Sequence, residues 1–294
     1  MPQPLHLLTF DIEDWFHVLD NPETQDIAQW ETLPSRLSDG VNRILDLCDR
    51  IGTKATFFVL GWVAETAPEV VAEIARRGHE IACHSYRHQL AYTQTPEAFE
   101  EDLIRALDLI EAAAGVRPTA YRAPGFSVTL KSTWVFDVLA RNGIEIDASV
   151  FPSSRAHGGL PGFPTGKPCL WETGARGPLK MFPMSFGSVF GRRVVFSGGG
   201  YFRLLPYPAI KLGFDRSDYV MTYFHPRDFD PNQPVIPGLG LVRKFKSYVG
   251  LGRSLARLER LAGQVNFMSI GDAVGAINWN AVPKLSSQAL HPSA

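Results

Sequence analysis

Between Leu5 and Val150 the chain alternates short apolar runs with amphipathic stretches, a pattern that restricts it to a parallel sheet or barrel covered by helices. Residues 5–10 form an apolar run stopped by Asp11. Residues 35–51 place Val41, Ile44, Leu45 and Cys48 at helical spacing and end at Gly52. Residues 55–60 are β-branched and aromatic, which predicts a strand. A helix over 68–77 closed by Gly78 and a strand over 79–83 follow. Thr95 and Pro96 supply an N-cap and a first-turn proline for a helix striped by Phe99, Leu103, Leu107 and Ile110. Then come a short strand at 120–122, a helix over 130–142 stopped by Gly143, and a strand over 144–150.

After Phe151 the pattern changes. Residues 152–201 are rich in Gly, Pro and Ser, which predicts short antiparallel strands and loops, with Val194-Val195-Phe196 the clearest strand. Ser197-Gly198-Gly199-Gly200-Tyr201 reads as a glycine-rich loop. It lacks the Lys and Ser/Thr of a phosphate loop, so it makes a poor nucleotide site. Helices are expected at 206–214, 255–261 and 269–277, and a strand at 217–224. The polar tail, 284–294, is expected to be disordered. With 294 residues and 45% hydrophobic content, residues 1–283 suffice for one domain that includes an extension from about 152 to 283.

Charge and hydropathy exclude several classes. A formal net charge of −1 gives no bulk attraction for nucleic acid. No apolar run is long enough for a transmembrane helix. The N-terminal residues lack a basic region followed by an apolar stretch, so no secretory signal is seen and a cytoplasmic location is expected. Cys48, Cys83 and Cys169 are sparse and odd in number, which reads as reduced thiols. The sequence leaves the oligomeric state open and allows a homo-oligomer.

The chemistry gathers at strand ends. His84 and His88 are four residues apart after a strand, a spacing that suits two nitrogen ligands of a divalent ion and equally a plain surface turn. Asp11, Arg122, Asp147 and His225 also lie at or near predicted strand ends, where parallel α/β scaffolds collect catalytic groups. Two imidazoles and one carboxylate could hold a metal. A second carboxylate could take a proton from water and a histidine could protonate a leaving nitrogen, with Arg122 tuning the carboxylate. These are the parts of an amide hydrolase.

In order along the chain, Thr9-Phe10-Asp11, His84-Ser85-Tyr86-Arg87-His88, Tyr121-Arg122-Ala123-Pro124-Gly125, Asp147-Ala148-Ser149 and Phe224-His225 resemble the five motifs of the NodB-homology polysaccharide deacetylases, carbohydrate esterase family four. The resemblance extends over residues 5–278. The Ser197–Arg203 and Tyr223–Pro231 stretches resemble a subgroup found with exopolysaccharide and exosortase loci. The resemblance implies an α/β fold, a distorted (β/α)7-type barrel with a small β-rich insertion and a C-terminal helical extension. It implies metal-dependent removal of acetyl from N-acetylated hexosamine units of a polysaccharide or its precursor, with exopolysaccharide biosynthesis as the setting. Asp11 would be the base, His225 the acid and Arg122 the partner of the base. Asp14, His84 and His88 would hold the metal, with Glu13 the alternative to Asp14. Zinc is the first expectation for the metal, and cobalt or another divalent ion the next. Tyr121, Pro124, Gly125, Phe126 and Asp147 would line the substrate groove, and a backbone N–H at Phe126 or a neighbour would hold the oxyanion. Two other readings stand beside it: a cyclic-amide hydrolase of the allantoinase-like branch, and a carbohydrate binder that has lost catalysis.

Overall fold

The computed structural model describes residues 3–19, 21, 24, 26–174, 176–189 and 192–290. The first elements in chain order are β1 (Leu5–Leu7), β2 (Thr9–Ile12), α1 (Ile27–Trp30), α2 (Leu37–Ile51), β3 (Thr56–Val59), α3 (Gly61–Thr66), α4 (Pro68–Arg76) and β4 (Glu80–Cys83). Next come α5 (Pro96–Ala114), β5 (Ala120–Tyr121), α6 (Trp134–Arg141), β6 (Ile146–Asp147), β7 (Cys169–Trp171), β8 (Leu179–Met181), β9 (Gly187–Val189) and β10 (Arg192–Val194). The last are α7 (Gly199–Leu204), α8 (Tyr207–Asp215), β11 (Tyr219–Met221), α9 (Leu241–Tyr248), α10 (Leu251–Ala262), β12 (Phe267–Met268), α11 (Ile270–Ala276) and β13 (Lys284–Leu285). They form two compact units. One comprises Met1–Phe57, Arg76–Glu80 and Phe186–Ala273, the other Phe58–Ala75, Ile81–Ser185 and Val274–Ala294.

In the first unit β1 lies between β11 and β12, parallel to both, with His6 opposite Val220 and Phe267. The chain then shifts into β2, where Phe10 bridges Phe224 and the Asp11 N–H donates to the Phe224 carbonyl at 2.8 Å. This unit's core is aromatic. Phe10 packs on Phe57, Phe224 and Phe229 at ring distances of 5.2, 6.1 and 6.3 Å. Burying such a ring contributes about 1.5–3 kcal/mol. Helix α2 turns Val41, Ile44, Leu45 and Cys48 into that core, as its stripe predicts, and ends where Gly52 takes the left-handed conformation (φ 63°). The expected glycine loop at 197–201 is instead the start of α7, with Gly198 as its N-cap. A Cβ on Gly198 would lie 1.9 Å from the Tyr223 ring, so glycine there serves a close approach.

His79 in this unit is 6% exposed. Its Nδ1 accepts from the Ala55 N–H at 3.3 Å and its ring packs on Phe57. Burial, reinforced by the Lys54 charge, pulls its pKa down to about 4. The unfolded chain takes up a proton near its ordinary value of 6.5, whereas the folded chain resists until about 4. Stability is therefore expected to fall as pH drops through that window, by about 3 kcal/mol from this residue. Urea midpoints across the window should show this slope in the wild type and a flatter one in His79→Asn.

In the second unit β4, β5, β6 and β8 run parallel in that order. β7 is antiparallel to β8, and β13 is parallel to β7. Cys83 pairs with Tyr121, and Tyr121 with Asp147, so the residues after these strands emerge side by side. Helix α5 is capped by the Thr95 side chain, which accepts from the Ala98 N–H, and ends at Gly115 with φ 74°. Two expectations change here. The helix expected at 130–142 begins as a separate 3-10 turn, Leu130–Ser132, closed by a Thr129–Ser132 capping box. The tail expected to be disordered from Lys284 instead pairs Lys284 and Leu285 with Leu170 and Trp171, and buries Leu290. Residues 291–294 lie outside the described residues.

Candidate active site

In the first unit, the end of β2 and the segment after β11 bring three titratable side chains together. Asp11 and Glu13 are almost fully buried, at 3% and 7% exposure. The His225 Nε2 lies 3.9 Å from both Asp11 Oδ2 and Glu13 Oε1. Its orientation is fixed locally. His225 caps the 3-10 turn Pro226–Phe229, and its backbone N–H donates to Asp228 Oδ2 at 3.0 Å. The same oxygen accepts from Nδ1 at 3.1 Å. With Nδ1 committed, Nε2 is the nitrogen that faces the two carboxylates. Burial opposes a charge on His225, but Glu13, Asp228 and Asp11 outweigh it and hold its pKa at about 9.

Asp228 is supported in turn by Arg203 of α7, whose Nη2 lies 3.2 Å from Asp228 Oδ1, with both side chains buried. Burial works against the Asp228 charge, yet His225 and Arg203 hold its pKa down at about 2. Gly199 permits the approach, because a Cβ there would lie 3.0 Å from Asp228 Oδ2. Arg203 also donates to the carbonyls of Lys246, Ser247 and Val249 at the end of α9. Of the two acids near His225 in sequence, Asp228 orients it. Asp230 is taken by Arg36 at 2.9 Å and Arg43 at 3.2 Å. Asp228→Asn keeps the side chain's shape but weakens the grip on Nδ1. It is expected to lower kcat about 10²-fold with little change in KM, read from steady-state product release.

Asp14 points elsewhere. Its carboxylate accepts from the Trp15 N–H (2.8 Å), the Ser35 hydroxyl (2.6 Å) and the Arg36 N–H (3.0 Å), and it steadies the start of α2. Both oxygens are engaged in holding this loop. Its neighbour Glu13 stands beside Asp11 and His225 instead.

In the second unit the imidazole pair sits on a strained turn, not a helix. Ser85 (φ 67°) and His88 (φ 56°) both adopt the left-handed conformation that side chains disfavour. The turn is held by the Ser85 hydroxyl, which accepts from the His88 N–H. It is also held by Asp102, whose carboxylate accepts from the N–H groups of Tyr86 and Arg87. Strain maintained by this many bonds is the mark of a functional turn. His84 and His88 are 1% and 7% exposed with ring centroids 5.4 Å apart, which removes the plain surface-turn reading. The His84 Nδ1–H donates to the Arg122 carbonyl at 2.7 Å, selecting the tautomer whose lone pair is on Nε2.

Arg122 is completely buried, with its guanidinium over the Phe58 ring at 4.0 Å. The expected groove residues divide. Tyr121 and Asp147 are fully buried. Tyr121 packs on Phe99. Asp147 accepts from the Ser149 hydroxyl at 2.6 Å, and the Ser149 oxygen accepts from the Ala123 N–H at 2.8 Å, so this motif props the backbone beside Arg122. Burial pushes Asp147 up to about 7, against the pull of Ser149 and Arg122. Pro124, Gly125 and Phe126 form a 3-10 turn in which Gly125 is partly exposed. The Phe126 N–H donates to the Ala123 carbonyl at 3.0 Å within the turn. Sequence reading missed Asp102, and placed Ser149 and Arg203 in motifs without giving either a role. Asp102 carried a signal, an acid directly before Leu103 in the α5 stripe.

Comparison with known proteins bears on these residues. The polysaccharide deacetylase family model matches residues 2–145, and a domain of unknown function (DUF3473) matches residues 148–275. A peptidoglycan deacetylase of Helicobacter pylori is 31% identical over 111 residues, 38% of this chain and 37% of that protein. The chain spans about a third of the length of the curated relatives it matches. A Mycobacterium smegmatis structure described as a candidate polysaccharide deacetylase superposes with a TM-score of 0.64 at 20% identity, covering 96% of each chain. A carbohydrate esterase family four pseudoenzyme from Bacillus anthracis superposes with a TM-score of 0.50 at 12% identity, over 96% of this chain and 67% of that one. The α/β NodB-homology fold expected from the motifs is thus the fold found, and residues 2–145 match the polysaccharide deacetylase family model.

Proposed function

We propose that the protein hydrolyses the acetamide of N-acetylated hexosamine units in a polysaccharide or its precursor, releasing acetate, with a divalent metal, zinc first. Because the fold also occurs in a pseudoenzyme, the reading rests on side chains. The observation that carries it is His225, whose Nδ1 is held by Asp228 so that Nε2 faces Asp11 and Glu13. Hydrolysis of an unactivated amide needs such a proton donor opposite a carboxylate base. By donor type, Glu13, His84 and His88 are the residues that would hold the metal. Their fit rests on donor type, two imidazoles and a carboxylate, and on His84 having its Nδ1 committed to the Arg122 carbonyl. When bound, the ion would lower the pKa of a water and polarise the acetamide carbonyl. Asp11 takes the proton from the attacking water, and His225 delivers one to the departing amine. Relatives named as peptidoglycan deacetylases support the substrate class, and the likeness to an exosortase-locus subgroup favours an exopolysaccharide over a wall polymer.

Acetate release from an N-acetylglucosamine oligomer is the direct test. Activity is expected with metal, and loss of it with a chelator. His84→Ala and His88→Ala should each lose metal by elemental analysis. No acetate with any divalent ion would refute the proposal.

A further inference from the structure

Among the described helices, α9 is the one that buries no side chain. Leu241 is 87% exposed, Val242 69% and Phe245 61%. At about 100° per residue these three share one arc of the helix, and Lys244 and Lys246 fall on its two edges. Arg243, on the opposite side, donates to the Leu19 carbonyl. Charge reinforces the pattern. From Asn232 through Leu258 the chain holds Arg243, Lys244, Lys246, Arg253 and Arg257 and no acid, in a protein with a formal net charge of −1. The helix is also held in place. The Tyr248 hydroxyl accepts from the Ile236 N–H at 2.8 Å and donates to the Pro234 carbonyl at 3.0 Å.

We infer that α9 is an anchor for an anionic lipid bilayer. Leu241, Val242 and Phe245 enter the acyl boundary while Lys244 and Lys246 reach up to headgroup phosphates. Two other occupants fit less well. A symmetric second copy would set this basic stretch against itself. An eight-residue helix, about 12 Å long, presents far less area than a stable protein interface requires. An acidic peptide would satisfy the lysines but not an exposed Leu-Val-Phe face. Because the helix is already folded, binding would not have to order it.

Co-sedimentation of the full chain with vesicles tests the inference without reference to its catalytic activity. Binding is expected to vesicles containing phosphatidylglycerol, weaker binding to pure phosphatidylcholine, and a decline with added salt. Leu241→Gln with Phe245→Gln, and separately Lys244→Gln with Lys246→Gln, should each weaken partitioning about tenfold or more. These side chains are exposed, so unfolding midpoints should stay unchanged. No binding to anionic vesicles, or equal binding by wild type and both variants, overturns it. So does a dimer in solution that dissociates when Leu241 and Phe245 are replaced.

Discussion

Asp11→Asn is expected to lower kcat by about 10³-fold while leaving the metal in place. Asparagine matches the shape of Asp11, and the backbone bond from the Asp11 N–H to Phe224 does not involve the side chain. What is lost is the capacity to take a proton. His225→Gln should fall by a similar factor, since glutamine cannot deliver a proton to the departing amine. Kinetics with parallel metal analysis checks both. Metal loss in Asp11→Asn would show that Asp11 is a ligand and that another group is the base.

Glu13→Gln and Asp14→Ala are expected to separate two acids that neighbour each other in sequence. Glu13→Gln should cut bound metal at least about tenfold, because a neutral amide is a much poorer ligand than a carboxylate, while the fold persists. Asp14→Ala should do the reverse. It keeps the metal but strips the partner from the Trp15 and Arg36 N–H groups and the Ser35 hydroxyl. Groups left unsatisfied in a buried site cost about 1–3 kcal/mol each when water cannot replace the bond. A net loss of about 2–3 kcal/mol is therefore expected by urea unfolding. Metal loss in Asp14→Ala with metal retention in Glu13→Gln would restore Asp14 as the ligand.

Much of the fold could be read from periodicity, because α2, α4 and α5 bury their stripes and each stops at or just before a glycine. The strand at β6 was overread. Residues 144–150 alternate Ile144, Ile146, Ala148 and Val150 with Glu145, Asp147 and Ser149, a strand pattern, but only Ile146 and Asp147 pair as a strand. The glycine run at 197–201 was misread for a physical reason. Its glycines answer to a tyrosine ring and a carboxylate that approach from a distant part of the sequence, and composition alone mimics a loop. The histidine pair was legible by spacing, but its burial and its left-handed turn were not. The groups that Asp14 holds, the Ser35 hydroxyl and the Arg36 N–H, lie more than twenty residues away. Motif matching singles out the second acid of such a cluster without showing which backbone it holds.

His225 and Asp228 both fall within the stretch matched as a domain of unknown function, downstream of the segment that matches the polysaccharide deacetylase model. Arg203 gives that stretch a mechanical aspect. One guanidinium grips the carboxylate that aims His225 and, with its remaining donors, the carbonyls that end α9. It acts as a strut between the outer helix and the aspartate that orients His225. By thermodynamic reciprocity, if a load that shifts α9 changes the free energy of holding Asp228, a group engaged at His225 changes how firmly α9 is seated by the same amount. The outer surface and the chemistry of this unit are thus two ends of one lever.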